Sequence, residues 1–167
     1  DATAPNAPTV ELTTDSGAAD LTTNDGSLTV TPAEAGNTIE YSTDGGTTWS
    51  TTEPTATEGS NTVSVREIDA AGNPSAQTDI TFILDTIAPV VDVNDITLTN
   101  DTTPALTGTV DDTAATVVVT IGGVDYPAVN NGDGTWTLAN DVVAALADGA
   151  TTPVSVSATD VAGNTGT

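Results

Sequence analysis

The 167 residues carry 24 carboxylates against a single cation, Arg66, for a formal charge of −23, with no Cys, His, Met or Lys. This composition excludes disulfides, thiol and imidazole catalysis and attraction to a phosphate backbone, and no run of 18 apolar residues offers a membrane-spanning helix. Arg66 can neutralise almost none of the negative charge inside the protein, so a compact state works against its own repulsion, and oxygen-only ligands suit a hard divalent cation, Ca²⁺ above all.

In chain order, Asp1-Ala2-Thr3-Ala4-Pro5 shows no basic segment leading into an apolar core, so no signal peptide is expected. Asn24-Asp25 has turn composition, and Asp44-Gly45-Gly46-Thr47-Thr48-Trp49 is a Gly-rich turn closed by an aromatic residue. Thr62 to Ile68 alternates apolar and polar residues, the period of a half-buried strand. Asp69-Ala70-Ala71-Gly72-Asn73 follows as a turn, then Gln77 to Leu84 as a further extended run. Asp85 to Pro89 is a stiff connection, since Pro fixes φ. Thr116 to Ile121 is a strand and Gly122-Gly123 a hairpin turn. Asn131-Gly132-Asp133-Gly134 is a second turn before the strand Thr135 to Leu138. Asp141 to Ala147 alone has helical character, at most about two turns. Pro153 to Thr159 alternates again and leads into Asp160-Val161-Ala162-Gly163-Asn164.

Three landmarks occur twice in the same order. The opening Asp-x-x-Ala-Pro returns at Asp85 to Pro89, 84 residues on; Trp49 returns as Trp136, 87 on; Asp69 to Asn73 returns as Asp160 to Asn164, 91 on. The chain is therefore read as two homologous units, residues 1–84 and 85–167. Thr makes up about a fifth of the residues and fits a pleated surface. Roughly seven short strands per unit, with turns about every 8–12 residues, predict a β-sandwich. The fold class expected is all-β, two tandem β-sandwich domains.

The segments Asp85-Thr86-Ile87-Ala88-Pro89, Leu98 to Val110, Asp133-Gly134-Thr135-Trp136 and Asp160 to Asn164 together resemble the tandem bacterial immunoglobulin-like repeats of giant, type I-secreted (RTX-type) adhesins of Gram-negative bacteria. The resemblance covers nearly all of the second unit, while Tyr41 to Ser50 in the first unit is similar to a common variant. Only three residues follow Asn164, where the first unit has Gln77 to Leu84, so the last strand of the second unit looks truncated, as in a fragment of a longer array. The resemblance implies two tandem immunoglobulin-like β-sandwich domains arranged end to end, in a calcium-rigidified rod on the cell surface. Its partners would be neighbouring repeats of the same chain, with no nucleic acid, no membrane insertion and a monomeric state.

An immunoglobulin-like topology gathers the first strand's start and two of the loops at one end. In the second unit that end would collect Asp85, Asp111, Asp112 and Asp160; in the first, Asp1, Glu34 and Asp69. Asp25, with Asn24, would face the same junction from the opposite end of the first unit. Carboxylates from three separate segments could form a Ca²⁺ cage of 6–8 oxygens. The competing reading of Asp69 and Asp160 is a plain turn, in which Asp and Asn bond their own backbone and Gly supplies positive φ. Asp85 could equally cap the linker, and Glu34, Asp111 and Asp112 could be solvated loop acids. Asn24-Asp25 and Asn100-Asp101 read first as turns. Asp133-Gly134 lacks the glutamate and flanking helices of a helix–loop–helix calcium site and reads as a hairpin turn. Trp49 and Trp136 are expected in packing, and so are Tyr41 and Tyr126. Arg66 is expected to pair with Glu40 or Glu67.

Nothing in the sequence assembles a catalytic group, and no Gly-rich phosphate loop precedes a helix. The function expected is therefore that of a stalk segment of a surface adhesin, with Ca²⁺ at domain ends stiffening it. The alternatives are a ligand-binding module for carbohydrate, ice or a host protein, carried on a Thr-rich face, and an accessory domain of a secreted hydrolase.

Overall fold

The computed structural model describes residues 2–96 and 99–167; Asp1, Thr97 and Leu98 lie outside them. The chain divides into two compact units, Asp1–Thr86 and Ile87–Thr167. Every element among the described residues is a strand.

In the first unit, β1 (Thr9–Leu12) pairs antiparallel with β3 (Leu28–Thr31), Val10 opposite Val30. The second layer holds β2 (Thr22–Thr23), β6 (Thr78–Leu84), β5 (Gly59–Ile68) and β4 (Thr38–Ser42), in that order across the sheet. The short β2 runs parallel to β6, and the other neighbours are antiparallel. Alternate residues of the paired strands point inward, which fills the core with Leu12, Val63, Val65, Ile80 and Phe82, flanked by Leu28, Val30 and Tyr41. The same alternation carries Glu67 inside, where it is fully buried. Its Oε2 accepts the Ala33 backbone N–H at 2.9 Å and its Oε1 accepts Asn37 Nδ2–H at 3.0 Å, so the buried carboxyl is satisfied.

The second unit is one antiparallel sheet in the order β13 (Thr165–Gly166), β12 (Val154–Thr159), β9 (Thr116–Ile121), β10 (Val124–Asn130), β11 (Thr135–Leu138), β8 (Leu106–Val110) and β7 (Val91–Val93). The long β10 pairs with β9 through its first half and with β11 through its end. Its bend folds the sheet into two layers around Val110, Val117, Val119, Trp136, Leu138 and Ala158. Gly122 and Gly123 both take positive φ, 59° and 87°, as a two-residue hairpin with a primed turn requires. Trp136 is completely buried, and its indole N–H donates to the Asp92 carbonyl at 2.9 Å.

The expected helix at Asp141 to Ala147 is absent. Asp141 adopts φ of 63°, outside the right-handed helical region. The amides of Asp141 and Leu146 bond the carbonyls of Thr103 and Thr102, and the Ala144 amide bonds Tyr126 Oη. Those partners take the amides that a helix would bond internally, and Val143 is buried. The final strand is short: β13 has two residues where β6 has seven.

Candidate functional site

The two Asp-x-x-Gly-Asn turns are built alike. Asp69 Oδ1 accepts the backbone N–H groups of Ala71 and Asn73, and its Oδ2 accepts Asn73 Nδ2–H. Asp160 Oδ1 accepts the Asn164 N–H at 2.8 Å, and Oδ2 accepts Asn164 Nδ2–H at 2.9 Å. Each Asp N–H in turn bonds the carbonyl of its Asn, and each Gly N–H bonds its Asp carbonyl. Gly72 and Gly163 both sit at φ of 88°, a backbone conformation in which a side chain is strained. The Asn73 side chain and backbone donors together hold the Asp69 carboxyl below its ordinary range. Asp160 is 8% exposed. Both acids thus serve as turn clasps, and a cation at either would share oxygens already accepting hydrogen bonds.

The other candidates are spread out. Asp111 is exposed, and its Oδ1 accepts the Val90 N–H at 2.7 Å while its own N–H bonds the Val90 carbonyl. This clamp secures the start of the second unit. Gly166 comes so close to the Pro89 carbonyl that a Cβ would lie 1.7 Å from its oxygen. Asp111 and Gly166 are thus both brought against the Pro89–Val90 segment. Asp112 Oδ1 caps Ala114 N–H. The Asp85 N–H bonds the Thr23 carbonyl, within the first unit. Glu34 is exposed. Asp25 Oδ1 accepts both the N–H and the hydroxyl of Ser27, and the hydroxyl is the larger cause of its lowered pKa. Asp101 and Asp133 accept the N–H and hydroxyl of Thr103 and Thr135 respectively, two residues on, as turn residues do. Asp1 falls outside the described residues. Among the described residues no three acids gather closely enough to hold one metal ion. The donor type, carboxylate and carbonyl oxygen throughout, suits Ca²⁺.

Three acids with distinct environments lay outside the sequence expectations. Asp44 is exposed, yet its Oδ1 accepts the N–H groups of Thr47 and Thr48 and the Ser42 hydroxyl, while Oδ2 accepts the Thr48 hydroxyl. The Thr48 N–H is the largest cause, and the pKa falls to about 2. Hydroxyl residues before and after an Asp in a Gly-rich turn were the legible signal. Glu67 is the second: it falls in phase with the inward Val63 and Val65, and only its charge disguised it. Asp15 is the third: Oδ2 accepts the Leu21 N–H, while its buried Oδ1 has no hydrogen-bond partner.

Arg66 pairs with Glu40 rather than Glu67. Its Nη2 and Nε both donate to Glu40 Oε2, at 2.7 and 2.9 Å. The guanidinium also stacks 4.1 Å from the centre of the Trp49 ring, whose N–H bonds the Gly46 carbonyl. Trp49 is thereby committed to packing its own loop, as expected. On the outer surface of the second unit, Thr109 faces Thr135 and Thr107 faces Thr137 across β8 and β11.

No curated protein matches the chain. The model of the bacterial Ig-like domain family matches residues 2–86 and again residues 92–167. The two sandwiches, the repeated turns and these two matches agree, and the chain belongs to the bacterial Ig-like domain family, carrying two copies of the domain in tandem.

Proposed function

We infer that the chain is a stretch of an extracellular stalk, part of a surface adhesin of a Gram-negative bacterium, which holds a distal binding domain away from the cell. The observation that carries this reading is the tandem repetition itself: two copies of one Ig-like domain, with only residues 87–91 between the matched segments. The turns support it, since their acids are spent on fixing backbone shape instead of converging on a reacting centre. A non-catalytic, mechanical role also fits a composition that lacks His, Cys and Lys.

Calcium belongs to the proposal. A charge of −23 with one cation leaves strong self-repulsion. A hard divalent ion held by oxygen ligands would relieve it, most effectively where millimolar extracellular calcium fills weak sites. Asp1, Asp25, Glu34, Asp69, Asp85, Asp111, Asp112 and Asp160 are the proposed ligands. Small-angle scattering tests the stalk reading. The distance distribution should be long and narrow in millimolar Ca²⁺ and broader in chelator at equal ionic strength. A compact particle in calcium would rule the stalk out.

A further inference from the structure

In the first unit, β4 stops at Ser42, opposite Ser64, whereas β5 runs on from Val63 back to Gly59 against β6 alone. The connection between β4 and β5 passes beside that stretch, and side chains fix its shape at both ends. Near β4, Asp44 holds the Thr47 and Thr48 amides, and the Trp49 indole N–H bonds the Gly46 carbonyl. Near β5, Asn61 Oδ1 accepts the Thr57 N–H at 2.9 Å, and its Nδ2 donates to the carbonyls of Thr57 and Gly59 at 2.7 and 2.9 Å.

Two hollows lie along this connection and share Thr43 and Pro54 as walls. The smaller, of about 140 Å³, is bounded by Tyr41 and Trp49; the larger, of about 370 Å³, lies between residues 54–57 and 60–63. The first is close to the ~150 Å³ that holds one benzene ring, and the second falls within the range of small-ligand sites, about 300–1,000 Å³. Among the described residues no charged side chain lines either hollow. The hydroxyls of Tyr41, Thr43, Thr52, Thr55 and Ser60 belong to the walls, and none of them bonds another described residue. A hydroxyl both donates and accepts, so such walls match a ligand whose own polar groups are hydroxyls. Trp49 stays partly exposed beside them, whereas its counterpart Trp136 is completely buried. The Gly46 bond and the Arg66 guanidinium, 4.1 Å from the ring centre, hold the indole in place. A fixed aromatic ring suits the polarised C–H groups of a sugar ring. An anionic ligand is repelled by a protein of charge −23, a cationic one finds no carboxylate in the walls, and an apolar one would leave the hydroxyls unpaired.

We propose that these adjoining hollows bind a neutral oligosaccharide, one pyranose ring against Tyr41 and Trp49 and the next beside Thr55 and Ser60. The wall hydroxyls bond the sugar hydroxyls, and the clamped connection is already in its binding shape, which spares the cost of ordering it. No metal ion takes part, so binding persists in chelator. The site does not rest on the stalk reading: a calcium-stiffened rod needs no sugar, and both hollows lie within the first unit.

The test titrates the 167-residue protein, in chelator, with maltose, cellobiose, lactose and mannobiose, which differ in ring stereochemistry or linkage. Backbone amide NMR shifts and tryptophan fluorescence are read. At least one disaccharide should give saturable shifts at Thr43, Ser50, Thr55 and Ser60 and none at Thr109 in the second unit, with a change in tryptophan emission. The same disaccharide with a glucuronic acid in place of one hexose should bind at least about tenfold more weakly, through like-charge repulsion. Tyr41→Phe and Ser60→Ala each remove one hydroxyl that no described residue bonds. Each should leave the melt unchanged and weaken binding about three- to tenfold, the worth of one hydrogen bond. No saturable shift with any of the four sugars at tens of millimolar would overturn the proposal. Shifts spread evenly over both units, or both variants binding like the parent, would overturn it equally.

Discussion

The Glu67 carboxyl reaches across the first unit to the backbone N–H of Ala33, 2.9 Å away, and holds Asn37 with its other oxygen. One buried side chain thereby anchors the loop between β3 and β4, which contains Glu34. Glu67→Ala should leave both donors without partners. Leaving such groups unsatisfied costs about 2–4 kcal/mol, which lowers the melting temperature of a domain this size by roughly 10 °C or more. Glu67→Gln keeps one acceptor and should lose less. Calorimetry on the two variants decides it; a Glu67→Ala transition within a degree or two of the parent would show that the clasp contributes nothing.

A comparable dependence exists in the second unit, between Gly108 and Trp136. A Cβ on Gly108 would lie 2.5 Å from the indole nitrogen and 2.0 Å from the Asp92 carbonyl oxygen that accepts its hydrogen bond. One atom belongs to the fully buried Trp136 ring and the other to the backbone of β7. Gly108→Ala should therefore displace the ring and break the bond, at a cost of about 2–4 kcal/mol from overpacking and the lost hydrogen bond. A red shift in Trp136 fluorescence should accompany the lower melting temperature. An unshifted spectrum and an unchanged melt would contradict this packing account.

The contrast between these residues shows what the sequence could convey. Alternation in Thr62 to Ile68 and Pro153 to Thr159 identified strands because period two is a backbone property, independent of which face is inside. It placed Glu67 in phase with the inward Val63 and Val65, but not the partners that satisfy its carboxyl there, Ala33 and Asn37, which lie thirty or more residues away. The repeat identified the Asp69 and Asp160 turns, whose clasps depend only on residues four apart. Whether distant acids such as Glu34 and Asp111 share a ligand depends on contacts across sheets, which local pattern does not encode. Asp141 to Ala147 failed as a helix for a similar reason. Its amides are bonded by Thr102, Thr103 and Tyr126, at least eighteen residues away or more, and these contacts outweigh a weak local preference.

Asp44 gives a pH dependence with a definite sign. Hydrogen bonds from Thr48, Ser42 and Thr47 lower its pKa from 3.8 to about 2. A carboxyl lowered by folding stabilises the native state above its ordinary pKa, and the contribution is lost as pH falls through the folded value. Protonation of the other acids works in the opposite direction by reducing repulsion, so the parent melt alone is ambiguous. The difference between parent and Asp44→Asn isolates the group. It should be constant above pH about 4 and shrink between about 3.8 and about 2. A difference that persists unchanged at pH 2 would mean that the Asp44 charge is not what orders the loop.

Calcium should stabilise the protein if the proposed ligands bind it. An ion that binds the native state alone adds roughly 2.7 kcal/mol at a hundredfold excess over the dissociation constant. Melting temperatures in millimolar Ca²⁺ and in chelator, at equal ionic strength, should then differ by many degrees. Point variants separate ligation from turn-building. Asp85→Ala should weaken calcium binding in calorimetric titration. Asp160→Ala should weaken binding and also lower the chelator melt, because it removes the clasp on Asn164. Asp148→Ala, at an exposed site, should change neither. If all three variants titrate like the parent, Asp85 and Asp160 are not ligands, and the loss seen for Asp160→Ala in chelator is the turn alone.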